Sequence, residues 1–471
     1  MLRNTHMIRM ETLERNTERL QDGLRDALRV SDDAAVVALL EGYHPADIAE
    51  VMERLDDQDS IRVFRNLDLV RAAEVLDELD TDTARYLLDN EVPERIASLL
   101  DILPADDVAE LVSEVTTPEK QESILKDLAS RAPEDAQDVR DLLAFKPGTA
   151  GRLMTDRFVS LAPEQSAESA FATLRSFADE AETFNALYVL EGKRLVGVLS
   201  LRDLLRARPH QQLSELMIRD IVSIPADLDQ EEVARLVAKY DFTALPVVLS
   251  NGTMAGIVTV DDVVDILHEE QTEDLLKQSA ISAEPGMRNL SYFSVPIWRV
   301  VRSRVGWLML LFVGGTITGE ILRSAQSSLH QVTALATFIP LLIGTGGNTG
   351  AQSVSTIIRA IAMGEVRGRD LLLVLVRELC GGLLLGLLLG TIAFIWASAR
   401  GNAFEISLVV ALTIVAVCTW ANLMGSLIPM VAQKLKIDPA LVSAPLITTL
   451  VDATGLIIYL TIARLLLPSL H

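Results

Sequence analysis

The chain has 471 residues, with 65 Asp+Glu against 42 Lys+Arg and a net charge of −23 at pH 7. That length exceeds what one hydrophobic core normally organises, so several domains are expected. The acidity argues against nucleic acid, whose phosphates it would repel, and two cysteines in apolar runs, Cys380 and Cys418, argue against a disulfide framework.

The N-terminal stretch MLRNTHMIRMETLERN is charged and lacks the apolar centre of a signal peptide. Residues 30–140 then carry a repeat. The segments opening at Asp47, Arg71, Arg95 and Asp107 share one apolar pattern at offsets of 24, 24 and 12. Each reads as a short amphipathic helix, and a stack of them predicts a superhelix. Pro45, Pro93, Pro104 and Pro118 mark helix starts.

A second repeat fills residues 150–268. Leu153-Met154-Thr155 opens one copy and Leu216-Met217-Ile218 the other. Gly197-Val-Leu-Ser200-Leu-Arg-Asp203 closes the first and Gly256-Ile-Val-Thr259-Val-Asp-Asp262 the second. Each copy predicts strand, helix, strand, strand, helix. The pattern resembles a cystathionine-β-synthase (CBS) domain pair, which implies a cleft between copies and, in nucleotide-binding examples, an aspartate on ribose hydroxyls. Two readings stand for Ser200 and Thr259: helix caps alone, or caps beside a nucleotide site.

Residues 263–293 predict a long acidic helix followed by a loop at Glu284-Pro285-Gly286. Five apolar stretches follow, at about 305–322, 335–362, 371–397, 406–431 and 440–467, each near the ~20 residues a crossing needs. Residues 295–471 hold 7 acids against 12 basic residues, leaving 58 against 30 in residues 1–294. Arg299, Arg302 and Arg304, then Arg359, Arg367 and Arg369, then Lys434 and Lys436 recur on one side of the spans. By the positive-inside rule that side is cytoplasmic, which places the acidic half inside and the C-terminus outside.

Asp452 lies near the middle of the fifth stretch. A carboxylate at that depth costs roughly 2.5–3.5 kcal/mol on insertion scales, so it is expected to face protein or a wet path. Thr448 and Asp452 share a helix face. The second stretch, Pro340 to Ser353, contains Gly344, Gly346, Gly347, Asn348, Gly350 and Gln352, and predicts an interrupted span lining a cavity. Helix–helix packing is the other reading of these small and polar residues, and the preferred one for Gly381, Gly382, Gly386 and Gly390. Arg377 and Glu378 are expected to pair locally.

One aspartate per chain cannot build a dehydrated cage. Two, brought together in a twofold dimer, suit a largely hydrated Mg²⁺, with carbonyls freed near Pro445 and the Thr448 hydroxyl bonding its waters. Softer metals would want His or Cys.

At this point the chain resembles the MgtE family of bacterial magnesium channels. The resemblance rests on Gly347-Asn348-Thr-Gly350-Ala-Gln352, Asp438-Pro439-Ala440 and Pro445 through Gly455. It implies a multi-domain integral membrane protein: a helical N domain (1–148), an α/β CBS pair (149–268), a connecting plug helix (269–297) and an all-α five-span domain (298–471). It implies a homodimer in the bilayer of the cytoplasmic membrane, carrying Mg²⁺ with Asp452 as selectivity site, and Thr448, Asn348 and Gln352 nearby. Regulatory Mg²⁺ would bridge Asp241, Asp262 and Asp265, the plug residues Glu270, Glu273 and Asp274, Asp438, and the N-domain residues Glu74, Asp106 and Glu110. ATP at the CBS pair would use Arg202, Asp203 and Phe242, with Asn185 standing where an aromatic is expected. An enzyme is not expected, because no nucleophile–base pair or phosphate loop appears in the soluble half. A CBS-regulated anion transporter fits poorly with a deep negative charge, whereas a proton- or Na⁺-coupled exchanger remains an alternative.

Overall fold

A computed structural model describes residues 10–115, 117–178, 181–282, 295–326, 330 and 332–467. It divides into two compact units, residues 1–270 with 286–295 and residues 271–285 with 296–471. The expected loop at residues 284–286 lies outside the described residues.

The first unit opens with α1 (Met10–Arg29), α2 (Asp33–Leu40), α3 (Pro45–Met52), α4 (Asp57–Asn66), α5 (Leu69–Asp77), α6 (Thr81–Asn90), α7 (Pro93–Leu100), α8 (Ala105–Val115), α9 (Pro118–Arg131) and α10 (Pro133–Leu143). Each helix packs on the next but one, from α1 on α3 to α8 on α10. This is the superhelix that the repeat predicts. Pairs such as Val75–Leu76 and Leu99–Leu100 supply the continuous core. Prolines start α3, α7 and α9, where a missing N–H costs nothing. Asp32, Asp56, Asp68 and Asp80 start α2, α4, α5 and α6 by accepting a bond from an amide three residues on. Part of the acidity is therefore capping, each cap worth about 1 kcal/mol.

The CBS pair follows as α11 (Ala150–Leu153), β1 (Phe158–Leu161), α12 (Ala167–Ser176), β2 (Thr183–Glu191), β3 (Arg194–Ser200), α13 (Leu201–Arg206), α14 (Leu213–Leu216), β4 (Ile224–Pro225), α15 (Gln230–Tyr240), β5 (Ala244–Val248), β6 (Met254–Thr259) and α16 (Val260–Gln278). The sheets run β1-β2-β3 and β4-β5-β6, each with a parallel pair and an antiparallel pair. The copies embrace reciprocally. A Cβ on Gly256 would lie 3.0 Å from Met154 Cγ, and one on Gly197 would lie 2.3 Å from Met217 Sδ. The methionine that opens each copy thus covers the glycine that closes the other. Arg152, nearly buried, donates to the Ala109 carbonyl at 2.6 Å and joins α11 to α8.

The second unit holds the end of α16, then α17 (Ile297–Ser324), α18 (Thr333–Ala362), α19 (Leu371–Ala399), α20 (Phe404–Lys434) and α21 (Ala444–Leu466). Four of these, α17, α19, α20 and α21, are long and apolar enough to cross a membrane. The expected fifth, α18, has 30 residues, but its glycines, threonines and Asn348 dilute its apolar character. The interruption expected in α18 is absent: the helix runs unbroken through Pro340. Two of its glycines serve packing instead. A Cβ on Gly346 would meet Val417 at 2.4 Å, and one on Gly350 would meet Ile447 at 2.8 Å. On α19, Gly382, Gly386 and Gly390 lie against the α20 backbone, the role preferred for them from sequence.

Candidate functional site

In the second unit, Asp452 is half-buried on α21 beside α18. A Cβ on Gly347 would stand 3.4 Å from both Asp452 Oδ1 and Thr448 Cγ2. Glycine there leaves the carboxylate and the threonine face uncovered. Neither a hydrogen bond nor an ion pair engages the Asp452 carboxylate among the described residues. The Trp420 indole donates to Thr454 Oγ1 at 2.9 Å and fixes the next turn of α21 against α20. Asn348 and Gln352 are exposed, in line with Gly344 and Ser355 on one unpartnered face of α18.

The surroundings of Pro445 differ from expectation. Its carbonyl accepts from both the Thr448 and Thr449 hydroxyls, at 2.8 and 2.9 Å. Thr448 therefore offers lone pairs rather than a hydrogen to any water beside Asp452.

Asp438 caps a 3₁₀ turn, Pro439–Leu441, by accepting from Ala440 N. Its other oxygen meets Lys277 Nζ at 2.5 Å, and Lys277 also meets Glu273 Oε1 at 2.5 Å. Burial alone would lower the Lys277 pKa, but the bonds to Asp438 and Glu273 outweigh that and raise it. Glu273 and Asp438 are thus brought together, and Lys277 is the partner that sequence reasoning missed. Asp274, half-buried, follows Glu273.

In the first unit, acids from the superhelix meet acids from the CBS pair. Burial first, then repulsion from Asp262, pushes Asp106 up to about 7. Asp107 rises to about 9 from burial and then from Asp77, Asp106, Asp262 and Glu110. Asp262 rises to about 6, from burial and despite the 2.7 Å bond from the Thr259 hydroxyl. Asp77 rises to about 6 from burial, then from Glu78, Asp262 and Asp265. Asp106 Oδ1 is buried and accepts no hydrogen bond among the described residues. The expected Asp106, Glu110, Asp262 and Asp265 therefore gather, joined by Asp77, Asp107 and Glu182, which sequence reasoning missed. Glu74 and Asp241 are exposed and Glu270 accepts from Gln230 at 2.8 Å. No three of these groups form a ready coordination shell among the described residues. The donors are all carboxylate oxygens, a set that fits hard divalent cations.

At the CBS pair, Ser200 caps α13 and its hydroxyl meets Asp203 Oδ2 at 2.5 Å. Arg202 is exposed, and the Phe242 ring lies 5.6 Å from that of Tyr240. A cavity of about 200 Å³ lies elsewhere, between Phe145–Thr149 and the side of Ala226, Asp227 and Asp229.

Residues 43–148 match the MgtE intracellular N domain, residues 150–210 and 213–269 match CBS domains, and residues 339–462 match the MgtE divalent cation transporter family. A magnesium transporter MgtE of Thermus thermophilus is 40% identical over 96% of this chain and 99% of its own. The chain belongs to the MgtE family. A Bacillus subtilis member is 38% identical over 73% of this chain and 75% of its own. The crystal structure of the cytosolic domain of the Mg²⁺ channel MgtE in complex with ATP is similar with TM-score 0.50 and 36% identity, covering 52% of this chain and 99% of that one. An inosine-5'-monophosphate dehydrogenase of Korarchaeum cryptofilum is 29% identical over only 22% of this chain. MgtE is a transporter family, and such enzyme matches reflect shared CBS domains.

Proposed function

We propose that this protein is a magnesium channel of the cytoplasmic membrane, working as a homodimer and closed by cytosolic Mg²⁺. Asp452 carries the reading. It is a carboxylate deep in an apolar helix, with its side chain left free by Gly347 and no cation beside it among the described residues. Such a residue belongs on an ion path. Two copies about a dimer axis would hold a hydrated divalent ion through its waters, in keeping with the reluctance of Mg²⁺ to shed them. The 30-residue α18 then serves as a fifth membrane helix, its polar face turned to the path.

The acids between superhelix and CBS pair supply the gate's sensor. Their mutual repulsion opposes closure, and Mg²⁺ bound among Asp77, Asp106, Asp107 and Asp262 relieves it. Glu273, Asp274 and Asp438 form the corresponding acidic group at the end of α16. ATP bound through Arg202, Asp203 and Phe242 would adjust this sensitivity.

Flux into liposomes, with Mg²⁺ varied separately on each side, tests the reading. Asp452→Ala abolishes Mg²⁺ flux while leaving a folded dimer; undiminished flux rules out the path. Uptake that stops when the proton gradient collapses at constant voltage replaces the channel with the coupled exchanger.

A further inference from the structure

Polar ties between the apolar helices of the second unit are few. Glu378 on α19 lies 2.9 Å from Ser353 on α18 and forms no pair with Arg377 among the described residues. Tyr459 on α21 donates to the Leu335 carbonyl on α18 at 2.9 Å. The threonines of α21 mostly turn inward on their own helix. Thr448 and Thr449 bond the Pro445 carbonyl, and Thr461 donates to the Ile457 carbonyl at 2.7 Å. Thr454 differs. Its hydroxyl lies 2.8 Å from the Leu450 carbonyl and 2.9 Å from the Trp420 indole nitrogen on α20. This is the one hydrogen bond between α20 and α21 among the described residues. Its direction is fixed. An indole N–H only donates and a hydroxyl has one hydrogen, so Trp420 donates to Thr454 and Thr454 donates to Leu450 O.

The tie sits behind Asp452. Residues two apart on a helix point about 200° apart, so Thr454 holds the side of α21 turned away from the carboxylate. Gly455 presses on the same neighbour: a Cβ there would stand 3.5 Å from Val417 Cγ1, about a turn before Trp420. On another flank, Thr449 seats against α17, where a Cβ on Gly314 would meet its methyl group at 2.7 Å. The Asp452 carboxylate has no hydrogen bond or ion pair of its own among the described residues. Its aim past Gly347 is therefore inherited from the rotation of α21. In lipid, apolar side chains pack on acyl chains about as well as on one another, so a directed bond between two helices weighs more in fixing that rotation.

We propose that Trp420 is a positioning residue for the transport path, holding the rotation of α21 through Thr454 so that Asp452 faces the passing ion. This rests on Asp452 lining the path. A helix free to turn presents its carboxylate correctly for only part of the time, and the apparent affinity for the ion falls by that fraction. Loss of the tie thus weakens Mg²⁺ binding in the path. A merely structural role would instead lower the amount of working protein, and with it the maximal flux alone.

Mg²⁺ flux of the full-length protein in liposomes, measured against Mg²⁺ concentration, tests the proposal. Trp420→Phe and Thr454→Val each raise the half-saturating Mg²⁺ about fivefold, the effect of one hydrogen bond, with maximal flux little changed. Thr454→Ser, which keeps the acceptor, stays at the wild-type value. The double variant Trp420→Phe, Thr454→Val is no worse than either single one, since both cut the same bond. Thr454→Val nearly preserves shape, so it decides the outcome if the smaller ring of Trp420→Phe harms folding. An unchanged half-saturating Mg²⁺ in folded Thr454→Val, or a fall in maximal flux alone, overturns the positioning role. Effects that multiply in the double variant overturn the shared bond. Normal conduction by Asp452→Ala overturns the proposal through the path reading. That failure is told apart from the others because the melting temperatures of the same variants still show Trp420 and Thr454 coupled.

Discussion

Gly347 borders Asp452 so closely that its missing methyl group would stand 3.4 Å from the carboxylate, whereas the preceding Gly346 faces Val417 with room for nothing. Neighbouring glycines on one helix thus have different duties. Gly346→Ala forces a 2.4 Å contact and should lower stability by about 1–3 kcal/mol, the usual cost of overpacking. Gly347→Ala meets only ordinary contacts, so its melting temperature should match wild type. The added methyl excludes water from the carboxylate, and Mg²⁺ flux should fall. Thermal melts and liposome flux on both variants separate the two effects.

The acids between superhelix and CBS pair predict a pH dependence. Asp106 and Asp107 are raised from the ordinary 3.8 to about 7 and about 9 in the folded protein. A raised carboxyl stabilises the fold fully below its unfolded value, and that contribution is lost as pH climbs through the folded value. Hydrogen exchange of α8 in chelator should therefore quicken between pH 4 and pH 9. Added Mg²⁺ should slow it again, most strongly at the alkaline end. Equal exchange with and without Mg²⁺ at pH 9 would remove this region as a sensor.

Lys277 follows the same sign but in a higher pH window. Its raised pKa means that its stabilising contribution is complete below 10.5 and disappears only above it. The link to Glu273 and Asp438 should therefore hold unchanged across the neutral range. Lys277→Met leaves two acids uncompensated and should cost about 1–2 kcal/mol, discounted because the side chain is partly solvated. Under the proposed gating, the same variant should bind Mg²⁺ more tightly at these acids, seen as closure at lower cytosolic Mg²⁺.

Under the proposed ATP site, Asp203→Ala and Phe242→Ala should weaken ATP binding about tenfold each, measured by calorimetry on the full chain, with Mg²⁺ flux in the absence of ATP unchanged.

The repeats were legible because they are periodic. Copies 24 residues apart predict stacked helices, and paired Leu-Met and Gly signatures predict the two CBS sheets. What sequence could not show was which distant acids meet: Asp77, Asp107 and Glu182 carry no mark separating them from solvated neighbours. The α18 glycines suggested a broken helix, because packing against Val417 and Ile447 is invisible in one strand of text. The expected Arg377–Glu378 pair failed for a geometric reason. Adjacent helical residues point about 100° apart and do not face each other. Asp452 was legible from depth alone, although the glycine that leaves it uncovered required the packed helices.

The crossed methionines of the CBS pair bear on how such a protein could arise. Met154 lids a glycine in the second copy, and Met217 returns the favour to the first. A solitary copy would expose that bare backbone and leave its own methionine idle. An ancestral single unit would have needed a twin from the outset, so duplication would have joined partners that already clasped one another.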